Sequence, residues 1–113
     1  MIKHPKAIGP LAFNATIGRL CGPAGCVTLP AYLKVIAQLF WGNGDGVAFP
    51  FDTVKKTLWP EGYACPADPE QAFRSDLREL RVITRILAHG SGRVLDFRQN
   101  KAGDWLVKVR TLR

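Results

Sequence analysis

Asp68-Pro69-Glu70-Gln71-Ala72-Phe73-Arg74-Ser75-Asp76-Leu77-Arg78-Glu79-Leu80-Arg81-Val82-Ile83-Thr84-Arg85-Ile86-Leu87-Ala88 is the stretch on which the reading of this chain turns. It opens with a carboxylate, a proline suited to the first helical position and a glutamine three residues after the aspartate, a capping-box arrangement. At about 100° per residue, Phe73, Leu77, Leu80, Thr84 and Leu87 fall along one face, which predicts a helix over 68–88 with that face buried. Gly90 or Gly92 ends it. Arg74, Arg78, Arg81 and Arg85 are spaced 4, 3 and 4 apart. They fall within a wedge of about 60° on another face. Such a row opposes an isolated helix by a few tenths of a kcal/mol per like-charged pair. Asp76 and Glu79 relieve part of that repulsion, and a polyanion relieves it better.

Downstream of this helix the sequence reads as a hairpin. Residues 93–98 and 105–110 have strand character, and residues 99–104 supply turn-formers between them. Arg98 and Lys101 lie near the tip. Trp105, Val107 and Val109 share one face of the second strand, while Lys108 and Arg110 share the other.

Upstream, residues 30–41 form a helix candidate with Tyr32, Val35, Ile36, Leu39 and Phe40 at helical spacing. Pro30 suits its first turn and Thr28 is a candidate cap. Gly42-Asn43-Gly44-Asp45-Gly46 stops it; without a following Lys-Ser/Thr or a preceding strand, this glycine run is a helix stop and not a phosphate loop. Val47 to Phe49 is extended. A short helix follows over 51–59, with Val54, Leu58 and Trp59 inward, and Pro60 ends it. Residues 60–67 are a loop. Short strands at 11–14, 17–20 and 26–29, punctuated by Gly22-Pro23-Ala24-Gly25, predict a small N-terminal antiparallel sheet.

Charge points to a partner. The 113 residues carry 16 Lys+Arg against 9 Asp+Glu, a net charge of +7. Ten basic and four acidic residues fall within 74–113, so +6 of the excess lies in the last third. Most of these are arginines, the side chain suited to bidentate contacts with phosphate and guanine. A field of this sign attracts polyanions and releases their condensed counterions. Hydrophobic residues at 47% and charged residues at 22% fit one folded domain over 1–113. The longest apolar run is too short to cross a bilayer, and Met1 to Pro10 lacks the apolar core of a signal peptide. No membrane partner is expected, and the expected location is the cytoplasm.

The order of elements is strands, helix, short extended segment, short helix, long basic helix and basic hairpin. It resembles a winged helix-turn-helix, and more narrowly the OmpR/PhoB-type effector domain of bacterial response regulators. The residues carrying the resemblance are Val27-Thr28-Leu29 leading into the first helix, Gly46-Val47 before a short helix ending in Leu58-Trp59, and Phe73, Leu77 and Leu80-Arg81 in the long helix. Arg93-Val94 opening a strand and Gly103 with Trp105 complete it. The family's wing usually carries Gly-x-Gly-Tyr, where this chain has Ala102-Gly103-Asp104-Trp105. The link over 60–68 is also longer than the family pattern.

The resemblance implies an α+β fold with N-terminal strands at 8–29, three helices over 30–88 and a wing hairpin over 93–110. It implies sequence-specific binding of double-stranded DNA and regulation of transcription. Arg74, Ser75, Arg78, Arg81 and Arg85 would face the major groove, with Arg98, Lys101 and Lys108 on the flanking backbone. Arg81 corresponds to a family arginine that can instead pair with an acid or meet phosphate. No receiver domain accompanies these elements, so the expectation is a stand-alone regulator of the kind a mobile element carries. It would act as a homodimer or on tandem sites, alongside RNA polymerase. The alternative is an interaction module that docks an acidic host protein through the same basic face.

Catalytic and metal chemistry find no telling spacing. Cys21 and Cys26 have four residues between them instead of two, which disfavours a zinc ribbon. Cys65, His4 and His89 complete no motif, and no cofactor or enzymatic activity is expected. A hairpin disulfide between Cys21 and Cys26 is geometrically conceivable. Three cysteines and no export signal favour reduced thiols. His89 suits the dipole at the end of the long helix. Trp41, Trp59 and Trp105 are expected to pack rather than stack on bases.

Overall fold

The computed structural model describes residues 6–112. Four short strands, β1 (Lys6–Ile8), β2 (Leu11–Asn14), β3 (Arg19–Gly22) and β4 (Gly25–Thr28), form an antiparallel meander in chain order. Alternation along them buries Ile8, Leu11, Phe13 and Leu20 against the helices. The third strand begins at Arg19, two residues later than expected. Asn14 accepts the Thr16 N–H through its side chain and the Gly18 N–H through its carbonyl, so residues 15–18 form a turn. Ile17 is consequently exposed.

Three helices follow: α1 (Ala31–Asn43), α2 (Phe51–Leu58) and α3 (Pro69–Leu87). Pro30 itself occupies the N-cap of α1, and Thr28 remains in β4 without a capping bond. Gly44 ends α1 with φ of 99°, its N–H bonded to the Phe40 carbonyl. The buried face of α1 is Leu33, Ile36, Ala37, Leu39, Phe40 and Trp41. Tyr32, expected inward, is exposed, and Val35 is only half-buried. In α2, Val54 is fully buried, with Leu58 and Trp59 packed at the edge of the core. Asp68 caps α3 by accepting the Gln71 N–H at 3.1 Å. Phe73, Leu77, Leu80, Thr84 and Leu87 are buried as their periodicity predicts. None of the helices among the described residues is long and apolar enough to cross a membrane.

The chain closes with a hairpin of β5 (Arg93–Gln99) and β6 (Trp105–Thr111), paired from Arg93↔Thr111 to Gln99↔Trp105. The segment before α2 runs along β6, where Phe49 and Trp105 exchange both backbone bonds at 2.9 and 2.8 Å and Gly46 donates to the Val107 carbonyl. The architecture is therefore α+β: a four-stranded antiparallel sheet, three helices and a C-terminal β-hairpin. Aromatic rings tie the parts together. Phe40 meets Phe97 at 4.8 Å and Phe49 at 5.1 Å, and Phe73 meets Trp105 at 5.1 Å. Trp41 and Trp105 are core residues and Trp59 packs against the core.

Cys21 and Cys26 correct an expectation: they are joined in a disulfide, not reduced. The Pro23-Ala24 turn places them directly opposite each other on β3 and β4, which brings the sulfurs together. The pair therefore gives no support to a reducing compartment. The same turn grips the end of α3. The Ala24 N–H donates to the Leu87 carbonyl at 3.1 Å, and a Cβ on Gly22 would overlap both that oxygen and the Leu11 side chain.

Candidate nucleic-acid interface

β5 runs back alongside α3, and side-chain contacts fix the pairing. Near the start of α3, the Arg74 guanidinium donates to Gln99 Oε1 at 2.8 Å and lies 5.6 Å from the centre of the Trp105 ring. One turn past the middle, Arg81 donates to the Phe97 carbonyl. Burial pulls the Arg81 pKa down from its ordinary value; Asp96 opposes that shift, while Arg74 and Arg78 add to it. An arginine starts so far above neutrality that it stays charged here. The hairpin consequently brings Gln99, at the start of its loop, beside the second turn of α3. Asn100 organises that loop by accepting the N–H groups of Ala102 and Asp104 at 3.0 Å, and Gly103 turns the chain at φ of 87°.

The arginine row is therefore split. Arg74 and Arg81 point along the edge that meets the hairpin. Arg78 and Arg85 are exposed, and neither has a hydrogen bond or ion pair among the described residues. Ser75 is exposed on the same outward side. Asp76 and Glu79 lie on the opposite edge of α3, toward α1. There the Tyr32 hydroxyl donates to the Glu79 carboxylate, and this bond raises the tyrosine pKa, with burial and the charges of Glu79 and Asp76 adding to it. Partial burial, then the charge of Glu79, raises Asp76 above the usual carboxylate range.

Three expected contact residues belong to the hairpin. Lys101 is exposed in the loop. Arg98 and Lys108 are exposed on the ribbon, but on the face opposite Phe97, Trp105 and Val107, which pack into the core beside α3. Arg98 stands 3.6 Å from Asp96 on that outer face. The structure thus gathers Ser75, Arg78 and Arg85 on one surface, sets Lys101 beside its N-terminal end, and leaves Arg98 and Lys108 around the ribbon.

Two residues of the outward face escaped the sequence reading: Val82 and Ile86 are 55% and 61% exposed beside Arg78 and Arg85. Their helical angle, roughly opposite the buried line, was the signal available. Among the described residues, no three His, Cys, Asp or Glu side chains gather as a metal site. Cys65 is free and exposed, His89 is exposed, and His4 lies outside the described residues. No family model, curated protein or solved structure matches this chain.

Proposed function

We propose that this chain is a winged-helix protein of the OmpR/PhoB type that binds double-stranded DNA and regulates transcription. The observation that carries the reading is the pair of unpartnered guanidinium groups, Arg78 and Arg85, on the outward face of a helix braced by a β-hairpin. An α-helix with side chains is about 10–12 Å across, and the major groove is about 12 Å wide. The N-terminal sheet, the order of the helices and the short Phe49 segment paired to Trp105 agree with a winged-helix arrangement.

In this reading Ser75, Arg78 and Arg85 face the groove, the two guanidinium groups meeting phosphates along its edges, and Lys101 meets the flanking backbone from the hairpin loop. Arg98 and Lys108 reach phosphates where the duplex curves past the ribbon. Arg74 and Arg81 hold the hairpin at the angle the duplex requires. Phosphate contacts supply most of the affinity, and the few side chains that reach base edges supply the specificity. A single groove-entering helix reads a short site, so two copies on paired half-sites are expected.

The test is a gel shift with random-sequence duplex at low salt, followed by selection of bound duplexes from a random pool. A shift and a recovered motif are expected. A folded protein that leaves duplex unshifted overturns the reading, and its retention by an acidic protein would transfer the basic face to protein docking.

A further inference from the structure

Val82 and Ile86 expose more than half of their surface on the helix that carries the four-arginine row. Single exposed apolar residues are ordinary on protein surfaces. These two are four residues apart on one face, and Val82 stands about 180° from the buried line of Phe73, Leu80 and Thr84. Valine and isoleucine are weaker helix formers than alanine, so local propensity does not account for them at solvent-facing positions. The neighbouring carboxylate is turned aside, because Tyr32 draws Glu79 toward α1. The crest of α3 is thus apolar at Val82 and Ile86 and bordered along one side by Arg78 and Arg85.

Charge decides what can cover it. A second copy of this face would bring four guanidinium groups together. A duplex offers phosphates to the arginines and, on its major-groove base edges, one apolar group: the C5-methyl of thymine. Four residues advance about 6 Å along a helix, close to two base steps of 3.4 Å. Resting on the reading of α3 as the groove-entering helix, we propose that Val82 and Ile86 each pack on a thymine methyl, so that the site carries two thymines within one half-site.

The experiment starts from the duplex selected by the wild-type chain. Each thymine is replaced singly by deoxyuridine, which removes only the methyl, and affinities are measured by fluorescence anisotropy for wild type, Val82→Ala and Ile86→Ala. Both substitutions put a stronger helix former at an exposed position, and thermal melts verify that the fold is kept. Two thymine positions should each lose about fourfold in affinity on demethylation, the worth of one buried methyl-sized group. One loss should vanish in Val82→Ala and the other in Ile86→Ala. Deoxyuridine that is neutral everywhere, or losses unchanged in both variants, would overturn the assignment while leaving DNA binding intact. Absence of duplex binding by the folded wild type would instead overturn the reading beneath it. A concentration-dependent dimer abolished by Val82→Ala would give the crest to self-association and also overturn the proposal.

Discussion

Arg78 and Arg81 stand one turn apart on α3 and do opposite things. Arg81 is half-buried and spends its donors on the Phe97 carbonyl, whereas Arg78 is exposed with no partner among the described residues. Arg74 and Arg85 repeat the contrast: the first is held by Gln99 and Trp105, the second faces water. One edge of the helix is structural and the adjoining face is available to a ligand. The comparison teaches that a row of like charges is not one surface. A rotation of a few tens of degrees about the helix axis, set by where the hairpin packs, assigns each guanidinium its task.

Substitutions can break or sharpen this contrast. The largest effect is expected where the β3–β4 turn holds the end of α3. Gly22→Ala would drive a methyl into the Leu87 carbonyl and the Leu11 side chain, costing about 3 kcal/mol in denaturant unfolding. Arg81→Ala leaves the Phe97 carbonyl without its donor, at a cost of about 2 kcal/mol and a fall in Tm of roughly 10 °C. Arg74→Ala removes one hydrogen bond and one cation–π contact at a more exposed place, so about 1 kcal/mol is expected, with faster amide exchange in the loop over 100–104.

The smallest effect concerns the acidic edge. The Asp76 pKa is raised in the folded chain, so its ionisation opposes folding; the protonated form is the favoured one. Stability from this group is fully present below the unfolded value of 3.8 and is lost as pH rises through the folded value. Asp76→Asn should therefore raise Tm slightly at pH 7, and melts at falling pH should show the gain closing below about pH 4.

Much of this is legible in the sequence. The cap at Asp68, Pro69 and Gln71 and the 3.6-residue period located α3 and its buried face to within a residue, because both signals are local. The hairpin was legible for the same reason. The apolar spacing in α1 predicts a face rotated from the observed one: the helix packs against the sheet as well as α2 and α3, so its buried arc is broad and includes Leu33, Ala37 and Trp41. The strand at Lys6–Ile8 is short, and its one inward side chain, Ile8, sets up no alternation to read. The division of the arginine row was out of reach. The acceptors of Arg74 and Arg81 lie 25 and 16 residues away, and one is a backbone carbonyl that no residue type announces. The disulfide needed the register of β3 and β4, which spacing alone leaves open.

The most direct measurement is the salt dependence of duplex binding for three proteins: wild type, the Arg78→Ala/Arg85→Ala double variant, and Arg81→Ala below its melting range. Each lost phosphate contact lowers the slope of log K against log salt by about 0.9. The double variant should keep wild-type stability to within about 0.5 kcal/mol and lose about two units of slope. Arg81→Ala should lose stability and keep the slope. Equal slopes in all three proteins, or a slope that falls with Arg81 and not with Arg78 and Arg85, would contradict the division of the helix described above.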